Sequence, residues 1–168
     1  DTYRAEAAAW PVEKVIHVSA AGTVIADETR EREAMGDADP LLAAIVGGIR
    51  SDESPAETIA LLDDQMASSR FRGVRTMGVD PGGVPHVDVL RALTERNLVF
   101  DLMVHPDVLA QAAGTLANHP DLTVVVEHVG WPRSADPDEH TLWRAGIDAL
   151  AALPQVHCKL SGLSMPLA

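Results

Sequence analysis

Ten polar residues sit at or near the ends of strongly apolar runs, and their types are those of acid–base and anion-binding chemistry. They are His17 and Ser19, Arg72 and Arg75, Asp101 and His105, Glu127 and His128, and Lys159 and Ser161. An imidazole can take and return a proton near neutral pH. Lysine and arginine can stabilise a developing oxyanion or anchor a carboxylate. Charged groups inside apolar strands are costly to bury unless they are paired or functional. One such residue carries little information, but here the pattern recurs along the chain. Within a strand Arg72 and Arg75 point to opposite faces, so only one of them can reach an interior, and spacing leaves the choice open.

Each residue also has an ordinary structural role open to it. His128 could bond a neighbouring carbonyl, Lys159 could be a snorkelling lysine, and Asp101 suits hydrogen bonding to adjacent backbone. His17 and Ser19 share one strand face and could be a packed polar pair. His86, His119 and His140 fall in helix or turn contexts and are expected to be solvated. Trp10, Trp131 and Trp143 are expected to pack, with Trp131 also placed to wall a pocket beside His128.

The elements that would position these residues alternate regularly. Apolar, β-branched runs cover 14–20, 42–49, 71–78, 98–104, 122–129 and 156–162, and each predicts a strand. Helical patterns cover 26–35, 54–67, 84–97, 105–118 and 138–153. Ser54 with Pro55 and Glu57 makes a capping box at the start of one of them. Strands apolar throughout, joined by helices, indicate βαβ units and a parallel sheet covered on both faces. That is either a doubly wound sheet or part of a (β/α)8 barrel, and in both the ligand lies at the carboxyl ends of the strands. No Gly-x-Gly-x-x-Gly follows the first strand and no phosphate-loop motif occurs, so nothing supports a nucleotide.

Composition narrows the function further. The 168 residues carry a net charge of −12, with 25 acidic against 13 basic side chains. That argues against nucleic acid or an anionic membrane as partner. No apolar run approaches the roughly 18 residues of a membrane span, and the first ten residues do not read as a secretory signal. The single cysteine, Cys158, rules out an internal disulfide and suits a cytoplasmic setting. The partner expected is a small-molecule substrate, with a homo-oligomer left open. The chain reads as one α/β domain over 1–168, and the lack of an initiator Met suggests that it begins inside a longer gene product.

In order and at these separations, "FRGVRTMG", "LVFDLMVHPDVL", "TVVVEHVGWP" and "ALPQVHCKLSGLSM" resemble the amidohydrolase-2 family of TIM-barrel lactone hydrolases, among them L-fuconolactonase-like, L-rhamnonolactonase-like and 2-pyrone-4,6-dicarboxylate lactonase-like enzymes. "KVIHVSA" followed by "ADETREREAM" looks like that family's second strand and helix, so the resemblance runs from about Val12 to Met165. It implies a (β/α)8 barrel, incomplete here, with about the second to the seventh strand present and the first and last lacking. Such a sheet would have two unpaired edges and an exposed core, as expected of part of a longer enzyme.

The resemblance further implies that His128 is catalytic or binds a metal, and that Arg75 rather than Arg72 anchors substrate. Lys159 matches a family lysine and would be catalytic, while Ser161, His17, Ser19, His105 and Trp131 would line the substrate site. One divalent ion, zinc or manganese, or none, would be the cofactor, its other ligands lying outside this chain. The family's His-x-His pair and late aspartate are absent, its aspartate before the histidine is Glu127, and the dicarboxylate lactonases' arginine is Trp131. A neutral or singly charged lactone is therefore expected rather than a dicarboxylate. Non-oxidative decarboxylation on the same barrel, or a catalytically inert fragment or interaction protein, are the alternatives.

Overall fold

The computed structural model describes residues 2–20, 25–50, 52–77 and 83–164. Gly78 and Met165, the ends of two of the stretches above, lie outside the described residues. A short helix α1 (Thr2–Glu6) and a single 3-10 turn precede a run of alternating elements. These are β1 (Val15–Val18), α2 (Ile25–Ala38), β2 (Leu42–Arg50), α3 (Pro55–Gln65), β3 (Phe71–Met77), α4 (Val87–Glu95), β4 (Val99–Leu102), α5 (Pro106–Leu116), β5 (Val124–Val126), α6 (Pro137–Ala151) and β6 (Val156–Cys158). All strand pairs are parallel, and the spatial order is β1 through β6 with no reversal. A doubly wound sheet reverses its order at a switch point. This sheet does not, so it is the wall of an incomplete (β/α)8 barrel.

Local chemistry sets the helix starts. Ser54 Oγ accepts from the Glu57 backbone N–H at 3.3 Å while the Glu57 carboxylate takes the Ser54 N–H at 3.0 Å, with Pro55 at the first turn. Asp136 caps α6 by accepting from the N–H groups of Asp138 and Glu139. The sheet's helix-facing side packs Phe100, Leu102, Val124 and Val126 against Leu90, Leu93, Leu109, Leu116 and Leu150, all buried. Each such side chain removed from water contributes roughly 1.5–3 kcal/mol before the entropy of ordering is set against it. Gly146 is where α6 meets α5: a Cβ there would lie 2.3 Å from Leu109 Cβ. No helix among the described residues is long and apolar enough to cross a membrane.

Three sequence expectations fail locally, one of them the strand expected over 156–162, which stops at Cys158. Trp10 does not pack; it is 72% exposed. The strand expected over 122–129 stops at Val126, and Glu127–Gly130 form a 3-10 turn. His128, Val129, Gly130 and Trp131 all take positive φ, between 45° and 77°. Left-handed backbone costs non-glycine residues roughly 1–2 kcal/mol each. The turn holds because Val129 is tied at both ends: its N–H donates to Lys159 O at 3.1 Å, and its carbonyl accepts from Trp143 Nε1 at 2.7 Å. Valine's strand preference is overridden by these contacts.

Candidate active site

Register decides which residues share a face. Gly48, Arg75, Asp101, Val125 and His157 pair in one row across β2 to β6. This row lies on the side of the sheet opposite the helices, since Gly47, one residue from Gly48, abuts Gln65 of α3. Glu127 and Lys159 follow two residues after Val125 and His157, and the Lys159 N–H donates to Val126 O at 2.9 Å. Successive strands thus deliver Arg75, Asp101, Glu127 and Lys159 to the carboxyl-end rim.

There they form one ionic cluster. Lys159 Nζ donates to Glu127 Oε1 at 2.9 Å and closely to Asp101 Oδ2. Arg75 Nη1 stands 3.9 Å from Glu127 Oε1. Both carboxylates are buried, Arg75 is 13% exposed, and Lys159 is 33% exposed. Burial pushes the Asp101 carboxyl up to about 6; the Lys159 ammonium opposes the rise and neighbouring Glu127 adds to it. Burial works against the charge on Lys159, but the hydrogen bonds and attraction of Asp101 and Glu127 outweigh it and hold the ammonium above its ordinary value. Asp101 is therefore not the backbone hydrogen-bonder expected from sequence. Nor does Lys159 snorkel: it lies just past β6 and turns onto two acids.

Beside this cluster sits the imidazole of His128, with Nδ1 sharing a 2.9 Å hydrogen bond with Ser161 Oγ and Nε2 4.0 Å from Glu127 Oε2. The left-handed turn aims the ring at the rim, where it is 27% exposed. Trp131 meets His128 edge-on at 5.4 Å between centroids and His105 at 5.6 Å. Two buried nitrogens, Arg75 Nε and His105 Nδ1, have no hydrogen-bond partner among the described residues. Arg72 points the other way, exposed, with its guanidinium on the carbonyls of Ser69 and Phe71.

His17 and Ser19 do not join this group. His17 pairs in register with Ile45, on the helix-facing side. His17 Nε2 lies 2.9 Å from Glu28 Oε1 of α2, and Ser19 Oγ donates to the other Glu28 oxygen. Burial raises the Glu28 carboxyl, but these two hydrogen bonds outweigh it and hold it below its ordinary value. The pair pins α2 to β1 and faces away from the rim.

The sequence marked Asp101 and Glu127 among the strand-end polar residues without a site role, and Glu28 not at all. The available signal was the cost of an acid inside an apolar strand, which demands a cation such as Lys159. A divalent ion does not fit the residues as they stand. Among the described residues no three His, Cys, Asp or Glu side chains converge to hold one, and the Lys159 ammonium lies between the two carboxylates.

A family model described as Amidohydrolase matches residues 4–166. An L-fucono-1,5-lactonase of Burkholderia ambifaria is 30% identical over 145 residues, which span 82% of this chain and 48% of that protein. An L-fucono-1,5-lactonase of Burkholderia multivorans is 30% identical over 167 residues, spanning 89% of this chain and 55% of that one. A crystal structure of a Burkholderia multivorans amidohydrolase with bound zinc superimposes with a TM-score of 0.77 at 29% identity, covering 99% of this chain and 60% of that chain. The chain spans about half the length of the curated relatives it matches.

Proposed function

Because the chain belongs to the amidohydrolase family, we propose that the protein carrying it is a lactone hydrolase, opening a sugar-derived lactone with an activated water at the rim of the sheet. The observation that carries this reading is the convergence of Arg75, Asp101, Glu127, His128 and Lys159, on or just past successive strands, at one rim. The lactonase names of the relatives support the substrate class. The net charge of −12 favours a small molecule over nucleic acid or an anionic membrane. The single cysteine is in keeping with a cytoplasmic setting.

Ring opening needs a proton acceptor for water, a donor for the oxyanion and a fixed substrate. In the tautomer whose Nδ1–H donates to Ser161 Oγ, His128 Nε2 is the free acceptor, and it takes the proton as the water oxygen bonds to the lactone carbon. The carbonyl electrons move onto oxygen, where a Lys159 N–H stabilises the charge. Collapse of this intermediate breaks the ring C–O bond, and His128 returns the proton to the departing alkoxide. Arg75 orients the ring with the part of its guanidinium that remains exposed, and Trp131, beside His128 and His105, walls the site with an uncharged face suited to a neutral sugar. The zinc of the Burkholderia multivorans structure belongs to that protein, and no step here is routed through a metal.

The test is proton release from L-fucono-1,5-lactone and a panel of aldonolactones, with carbon dioxide release from a panel of acids as the competing arm. His128→Ala and Lys159→Met should each lower kcat by about 100-fold or more. Turnover of acids but not lactones, or variants within about twofold of wild type, would overturn the proposal.

A further inference from the structure

Asp101 touches no open surface, yet it is the closest partner of the one lysine that reaches the rim. An ammonium has three N–H donors in fixed tetrahedral directions. Asp101 Oδ2, on β4, takes one, and Glu127 Oε1, in the turn that follows β5, takes another at 2.9 Å. Two fixed bonds determine the direction of the third. Lys159 is a third exposed while both its acceptors are buried, so the remaining donor is the one on the open side. Lysine alone is a flexible point charge on a four-carbon stem with high rotamer entropy. Glu127 cannot fix it unaided, because its carboxylate also faces Arg75 at 3.9 Å and His128 at 4.0 Å.

We propose that Asp101 is a positioning residue, which acts through Lys159 by holding its ammonium so that a single N–H is presented to the substrate oxygen. This rests on the hydrolase reading for its kinetic consequence, though not for its geometry. Asp101 never contacts substrate. It removes the rotational freedom that a lone Glu127–Lys159 pair would retain, and preorganisation of this kind lowers the reorganisation needed as charge develops. Arg75, on β3 and in register with Asp101 of β4, adds a second cation 3.9 Å from Glu127 Oε1.

A double-mutant cycle with a chemical probe tests the proposal. Asp101→Asn should lower kcat by about 10- to 100-fold with KM within about twofold, whereas in the Lys159→Met background it should cost nothing further. Asp101→Glu, which keeps the charge, should recover part of the loss. Independently of turnover, acylation with N-hydroxysuccinimidyl acetate is read by mass spectrometry at Lys159 against Lys14, the chain's other lysine. Loss of Asp101 should speed acylation of Lys159 relative to Lys14 by about tenfold for each unit by which the ammonium becomes easier to deprotonate. Additive kinetic losses, or an acylation ratio unchanged by Asp101→Asn, would overturn it. A wild type that opens no lactone would sink the hydrolase reading alone, and the acylation ratio would still decide whether Asp101 holds Lys159.

Discussion

Replacing Asp101 by Asn should abolish a loss of stability that the wild-type protein suffers between about pH 4 and pH 6. In the folded protein burial raises this carboxyl from 3.8 to about 6. The folded state therefore keeps the proton over a range in which the unfolded chain has released it. Stability falls with rising pH wherever the folded state binds more protons, so the sign is negative through this window. About two units at 1.36 kcal/mol each amount to about 3 kcal/mol, fully present below about pH 4 and lost by about pH 6. Glu28, Glu33 and Glu139, whose carboxyls are held below their ordinary range, act in the opposite sense as pH falls. Lys159, held above its ordinary value, adds stability that is lost only as pH rises past about 10.5, outside this window. The difference between wild type and Asp101→Asn cancels these groups. The assay is urea unfolding of both proteins at half-unit steps from pH 3.5 to 7. The stability difference should shift by about 1–3 kcal/mol in favour of the variant as pH rises, the lower figure allowing for relaxation around Lys159. Parallel curves within about 0.5 kcal/mol would show that Asp101 titrates as an ordinary carboxyl and that the buried cluster is misread.

Further outcomes follow from other contacts. Gly130→Ala should destabilise by about 2–4 kcal/mol by urea unfolding, since φ is +77° and the new Cβ would lie 2.8 Å from Leu109 Cδ1. Trp143→Phe should cost about 1–2 kcal/mol by losing the 2.7 Å bond to Val129 O, and should lower kcat by loosening the turn that carries His128. Ser161→Ala should leave the melting temperature within about 2 °C of wild type while lowering kcat about tenfold, because His128 loses the hydrogen bond that orients its ring.

The alternation of elements was legible because buried parallel strands need apolar residues on both faces and their helices need amphipathic ones. Five predicted helices and six predicted strands correspond to α2 to α6 and β1 to β6. Two features of the site were out of reach. The register that groups Arg75 with Asp101 and separates His17 and Ser19 from them depends on contacts between strands, and periodicity within one strand cannot name the inner face. The left-handed run from His128 to Trp131 was hidden by valines that favour a strand, and it is imposed by Lys159 and Trp143, distant in sequence. The polar residues themselves were legible, but their grouping was not: Asp101 read as a local hydrogen-bonder, while its partner lies 58 residues further on.

The central claim is that the rim holding Lys159 and His128 binds the reacting carbonyl. A crystal structure of the protein with a sugar-acid product bound tests it most directly. The carboxylate formed from the lactone carbonyl should lie about 3 Å from Lys159 Nζ and from His128 Nε2, with Arg75 reaching the sugar. A product bound on the helix-facing side near His17 and Glu28, with Lys159 still enclosed and His128 untouched, would contradict the account.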